Sequence, residues 1–287
     1  MEIYAFNNRK EKVLLGGFMN KITTFYDHIQ NAMKQENMTL EEIAEQLTKA
    51  GITGSEIEYT QIKGSEGKKL AESLEKVGLK ISSVYCHFRW EKDIPDENYI
   101  DVLKRLKELD VHYLLAIPGF KKEGQTSEES ALSLVDELRK LCEAAPEYDV
   151  KVLMEDFDNT VAAFASSEEL KWFLQEIDSL GCAFDTGNFL YCEEDSLEVL
   201  PMFIDRIGYV HCKDRSFSPV EGEDFQETIK GRKMYSSAVG SGMIHMNEIL
   251  KQILATGYDG VLAIEHFGSL KQLDDMIASA EYLTKLC

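Results

Sequence analysis

Four short stretches decide how this chain folds: VLMED at 152–156, CAFD at 182–185, YVHCKD at 209–214 and VLAIE at 261–265. In each, an apolar run of strand length meets a residue able to ligate a metal, in turn Glu155, Asp185, His211 and Glu265. The intervals between these four are 30, 26 and 54 residues. The first two each fit one strand and one helix. The third fits two such units, or one with a long loop. Strand ends recurring at this period, each with an acid or an imidazole, predict one metal site at the mouth of a barrel.

Outward from these stretches the chain alternates strand and helix. Strands are expected at 13–18, 54–62, 80–88, 111–120, 149–155, 181–185, 207–214 and 258–267. Helical spacing is read at 39–51, 67–79, 97–110, 127–148, 166–177, 195–205, 245–257 and 269–287. Thr39 reads as an N-cap, Gly51 and Gly78 as C-terminal stops, and Pro146 as a helix end. Eight strands alternating with eight helical positions predict a single-domain (β/α)8 TIM barrel over residues 1–287. Two irregular stretches, 86–97 and about 214–244, leave the C-terminal ends of strands, where lids and substrate-contacting loops belong.

The 287 residues, 44% of them hydrophobic, suffice for one large core. No apolar run approaches the ~20 residues that span a bilayer, and MEIYAFNNRKEK lacks the apolar stretch of a secretory signal. The six cysteines form no CxxC pair, and Cys86, Cys182 and Cys212 sit inside apolar runs, which fits buried thiols in a reducing cytoplasm. A formal net charge of -20 repels a nucleic-acid backbone. A cytoplasmic protein with neither a nucleic-acid nor a membrane partner is expected.

Three carboxylates and one imidazole make a mostly oxygen donor set. It suits one divalent ion, Mn, Mg, Co or Fe more than Zn. Such an ion, with one or two positions open to substrate oxygens, would polarise a carbonyl and stabilise an enediolate. Glu155 and Glu265 come from strands far apart in the chain and are placed to flank a substrate from different sides. That suits removing a proton beside a carbonyl on one face and returning it on the other.

VLMED, FDTGN (184–188), VHCKD (210–214) and the long GSGMIHMNEILKQILATGYDGVLAIEHFG (240–268) resemble the xylose isomerase-like TIM-barrel superfamily, in particular its sugar phosphate isomerase/epimerase branch. GITGSEIE (51–58) is similar to that family's second-strand signature, which places an acid at Glu56. The resemblance covers nearly the whole chain. It implies metal ligation by Glu155, Asp185, His211 and Glu265, with Glu155 and Glu265 as the acid/base pair. The implied activity is a metal-dependent isomerase or epimerase of a small sugar or sugar phosphate, working by Glu-mediated proton transfer through an enediolate. An inosose-type dehydratase is the near alternative. An apurinic-site endonuclease and a non-catalytic sugar-binding barrel are more distant ones. Asn188 stands where ketose 3-epimerases and endonuclease IV relatives carry His, and the chain lacks the Asp-x-His of the trinuclear site. Homo-oligomers are common among such barrels.

Around this set, His87 ends a strand where an imidazole can bond a substrate hydroxyl, and Trp90 is a candidate pocket wall. Lys213 shares the face of His211 under strand alternation, and it and Arg215 are placed to hold a substrate oxygen or a phosphate. With Glu56 and Asn188 these complete the expected substrate-binding residues. His266 should point away from Glu265 and be structural, while His28, His112 and His245 show no constellation. GSG at 240–242 reads as a turn.

Overall fold

The computed structural model describes residues 21–286. Its strands are β1 (Lys21–Phe25), β2 (Ile52–Glu58), β3 (Lys80–His87), β4 (Tyr113–Ile117), β5 (Lys151–Met154), β6 (Gly181–Asp185), β7 (Ile207–Ser216), the short β8 (Gln226–Glu227) and β9 (Lys233–Ser237), and β10 (Val261–Glu265). β1 to β7 lie side by side in parallel, and β10 closes the ring by pairing with both β7 and β1. The helices are α1 (Tyr26–Glu36), α2 (Leu40–Lys49), α3 (Gly64–Lys76), α4 (Tyr99–Glu108), α5 (Ser127–Ala144), α6 (Ser167–Glu176), the one-turn α7 (Ser196–Val199), α8 (Met246–Ala255) and α9 (Gln272–Thr284). The expected (β/α)8 TIM barrel is what forms.

Local chemistry sets the helix starts. Thr39 Oγ1 accepts from Glu42 N while Glu42 Oε2 accepts from Thr39 N, closing a capping box at α2. The same reciprocal pair starts α5 at Thr126/Glu129 and α6 at Ser166/Glu169. Each such cap is worth ~1 kcal/mol. The barrel interior is filled by Leu115, Leu153, Ala183, Tyr209, Val261 and Ala263. Tyr209 places its hydroxyl 3.1 Å from Ser82 Oγ and 3.2 Å from Ser83 Oγ, so its polar tip is satisfied inside. A larger core lies between strands and helices, where Val84, Leu114, Val152, Cys182, Val210 and Leu262 meet Leu134, Leu138, Phe173 and Ile249. No helix among the described residues is long and apolar enough to cross a membrane.

Three stretches differ from the sequence reading. The strand expected at 13–18 lies outside the described residues. The first barrel strand is KITTF at 21–25, and α1 follows it before the expected α2. The helix expected over 195–205 ends at Val199, before Pro201, and continues as 3-10 turns at Leu200–Met202 and Ile204–Arg206. The supposedly irregular 214–244 is partly strand: β7 runs on to Ser216 and pairs antiparallel with β9, with Asp214 opposite Ser237.

Asp214 anchors that extension. It is 1% exposed, and its two oxygens accept from the backbone N–H groups of Arg215, Gly240, Gly242 and Ile244 at 2.9–3.1 Å. GSG at 240–242 is therefore the turn expected, and a Cβ at Gly242 would collide with the Asp214 carboxylate. Asp214→Ala strands four donors at once and should destabilise the protein by about 3 kcal/mol. Urea unfolding measures this, and a loss within error of zero would refute the anchoring role.

Candidate metal centre and cavity

Four neighbouring strands of the closed ring deliver the candidate ligands. Glu155 follows β5 directly, Asp185 ends β6, His211 lies in β7 and Glu265 ends β10. Register brings Asp185 opposite His211, and Glu265 opposite Lys213. One ligand atom from each of Glu155, Asp185, His211 and Glu265 lies within 4.8 Å of every other. This buried group could hold a metal ion. His211 Nδ1 faces the cluster, 2.7 Å from Glu155 Oε2, 3.4 Å from Glu265 Oε2 and 4.0 Å from Asp185 Oδ2.

The donors fit a divalent cation. Asp185 Oδ1 accepts from the N–H groups of Gly187 (2.7 Å) and Asn188 (2.8 Å), which fixes the carboxylate. Its Oδ2 is fully buried with no partner, an orphan that a cation would satisfy. Burial, aided by Glu265 and Glu155, pushes the Asp185 carboxyl well up, and burial likewise raises Glu155. Burial opposes charge on His211, but Glu56 and Glu155 outweigh it and hold the imidazole well above its usual range. For Glu265, burial is outweighed by Lys213 and His211, and its carboxyl sits below the usual range. Three carboxylates and an imidazole trade protons for a cation, and such ligands release protons when metal binds.

Lys213 is the brace of the site. Its Nζ lies 2.6 Å from Asn188 Oδ1, 2.8 Å from Glu265 Oε1 and 3.2 Å from Asp158 Oδ2. Asn188 is itself held by donating to the Asp156 carbonyl at 2.9 Å. Gly187 lets the turn after β6 press onto β7, since a Cβ there would lie 2.7 Å from the Lys213 carbonyl oxygen.

A cavity of about 450 Å³ opens above the cluster. Glu155, Glu265, Asn188, Lys213, Arg215 and His87 all line it. Two expected substrate contacts do not. Glu56 is fully buried, and its Oε2 lies 3.2 Å from His211 Nε2, so it orients a ligand imidazole from behind. Trp90 is absent from the wall because its ring stacks on buried Phe88, with centroids 4.6 Å apart. His266 does point away from Glu265, but it stacks on His28, whose Nε2 accepts from the His266 backbone N–H at 3.0 Å. His28 thus has a partner that no spacing in the chain signals.

Asp158 and Gln226 also line the cavity and were not singled out from sequence. Asp158 lies three residues past Glu155 in a loop, and Gln226 lies in β8. Arg215 Nη2 bonds Asp158 Oδ2 at 2.8 Å and Gln226 Oε1 at 3.2 Å, while Gln226 Nε2 donates to the Asp158 carbonyl. No periodicity marks these residues.

A family description, xylose isomerase-like TIM barrel, matches residues 41–286. The chain belongs to that family. Among curated relatives, inosose dehydratase of Clostridium perfringens is 29% identical over 151 residues, 52% of this chain and 51% of that protein. The match thus spans about half the length of that relative. Inosose dehydratase of Geobacillus thermodenitrificans is 24% identical over 252 residues, covering 79% of this chain and 82% of that protein. Among solved structures, an IOLI protein with a bound zinc atom superposes with a TM-score of 0.68 at 19% identity, covering 93% of this chain and 98% of that one. D-Psicose 3-epimerase with D-tagatose from Clostridium cellulolyticum H10 also gives 0.68, at 17% identity, covering 92% and 98%. These two likenesses show the same barrel fold.

The purified protein should take up one divalent ion per chain, by elemental analysis and calorimetric titration. Asp185→Ala should remove that uptake, and Glu56→Gln should weaken it roughly 10–100-fold by releasing the His211 ring. Unchanged affinity in Glu56→Gln would show that Glu56 has no part in the centre.

Proposed function

We propose that this chain is a divalent-metal-dependent enzyme that removes the proton beside the carbonyl of a small polyhydroxylated ketone, with loss of water as the outcome. The observation that carries the proposal is the four-ligand cluster at the floor of a cavity into which Glu155 and Glu265 both open. A cation held by Glu155, Asp185, His211 and Glu265 supplies Lewis-acid polarisation of a carbonyl and its neighbouring hydroxyl.

The chain's own residues do the rest. Glu155 follows β5 and Glu265 ends β10, so one carboxylate can take the proton from carbon while the other returns one. Returning it to carbon on the opposite face gives epimerisation, and giving it to a departing hydroxyl gives dehydration. Lys213 holds Glu265 ionised and in place through its 2.8 Å contact. His87 and Arg215 offer polar groups at the wall for the substrate's other hydroxyls. Phe25 and Phe267 provide apolar surface beside them.

The names of the curated relatives favour dehydration of an inosose-type cyclic ketone. Isomerisation or epimerisation is the second reading, supported by the structural likeness to a ketose 3-epimerase. Incubation with a panel of inososes and ketoses in heavy water separates the two. Dehydration yields a product lighter by one water, whereas epimerisation conserves mass and leaves deuterium on carbon. Glu155→Gln and Glu265→Gln should each lower kcat by roughly 10²–10⁴-fold while the circular dichroism stays native. Full activity in either variant would falsify the acid/base assignment.

A further inference from the structure

The cavity carries six charged residues on its wall: Glu155, Asp158, Asp224 and Glu265 against Lys213 and Arg215. The two cations are where a phosphate or carboxylate on a substrate would dock. Both are already matched. Lys213 Nζ lies within 3.2 Å of Asn188 Oδ1, Glu265 Oε1 and Asp158 Oδ2. Asp158 Oδ2 accepts from Lys213 Nζ at 3.2 Å and from Arg215 Nη2 at 2.8 Å at once. A single carboxylate oxygen thus sits between ammonium and guanidinium, at the point where an anionic ligand oxygen would otherwise lie.

The placement of Asp158 is built. Its carbonyl accepts from Gln226 Nε2, which ties the loop after β5 to β8, and Gln226 Oε1 in turn receives Arg215 Nη2. The Arg215 side chain is 6% exposed and its Nε has no protein partner among the described residues. Nη2, the group that meets Asp158, is thus taken, so an anion would have to compete with that carboxylate for it. Lys213 and Arg215 outweigh burial and keep the Asp158 carboxyl below the usual range, so it carries its charge.

We infer that Asp158 is a specificity-determining residue, an internal anion that reserves the cavity for an uncharged polyhydroxylated ligand and excludes phosphorylated or carboxylated ones. The inference rests on the cavity being the substrate site, but its test reads anion binding and not turnover. Removing the carboxylate takes from Arg215 the one carboxylate it meets among the described residues, and leaves Lys213 to Glu265. It should turn the wall into an anion site.

Calorimetric titration of the metal-loaded protein with inorganic phosphate tests this, at low ionic strength where the interaction is least screened. Asp158→Asn and Asp158→Ser should bind phosphate at least about tenfold more tightly than the parent, and Asp158→Glu should not. Circular dichroism confirms that each variant is folded, and two neutral replacements guard against one failing. Asp158→Asn combined with Arg215→Met should return phosphate affinity to the parent level, which separates binding at this wall from binding at the cation. Equal phosphate affinity in parent and Asp158→Asn would overturn the inference. So would a gain that survives Arg215→Met. Failure of the proposed reaction, seen as no product from any neutral ketone, would leave the phosphate result standing.

Discussion

Four carboxylates, those of Glu56, Glu155, Asp185 and Glu265, converge on the imidazole of His211 inside the barrel mouth. Isolated in a low-dielectric interior, so much like charge is very costly, and it persists only where positive charge answers it. His211 and Lys213 answer part of it, and a divalent cation would answer the rest. Much of the local architecture follows. β10 must close against β7 so that Glu265 meets Lys213. The turn after β6 must present two backbone N–H groups to Asp185, which needs Gly187 packed directly on β7. The His211 ring must be held on both edges, with Glu56 behind it and Phe25 and Tyr209 edge-on to its faces at 5.2 and 5.5 Å between centroids.

β7 shows how one strand serves several ends. Alternation sends His211, Lys213 and Arg215 towards the site, giving a ligand, a brace and a cavity-wall donor in succession. The intervening Cys212 is buried in the outer core, and Asp214 turns to the loop at 240–244. The extension of β7 past the barrel rim, paired with β9, is what carries Arg215 over the cavity. A strand ending at the usual length would have left Arg215 in a loop.

The barrel and its four central side chains were legible because each ligand terminates an apolar run, a pattern written in consecutive residues. What escaped was set by contacts between distant segments. KITTF has two threonines in five residues and carries no clear apolar run. β9, KMYSS, is a polar strand whose partner is the extended end of β7, so its pairing exists only once that strand is placed. Glu56 was found as an acid, but its role depends on which edge of His211 it meets, and that is decided by the ring of strands. For Trp90 the sequence allows a place in the pocket wall or over the core, and the stacking on Phe88 that places it depends on the folded chain.

Asp158 is the residue with the largest effect and the weakest signal. In sequence it is one acid among 51 in a chain of net charge -20, and nothing in its spacing separates it from surface acids. In the fold it is the only carboxylate among the described residues that reaches both Lys213 and Arg215. The same acid at the surface would be worth almost nothing, because water screens it. Held by Gln226 in the loop after β5, it sets a negative charge between the two cations of the cavity wall. A cavity whose carboxylates could hold a metal gains by having its nearby cations already matched. Unmatched, Lys213 would rest on Glu265 alone, which it already meets at 2.8 Å, and Arg215 would be open to anions from solution. The charge proposed to keep a phosphate out would therefore also leave more of the Glu265 charge for a cation at the cluster.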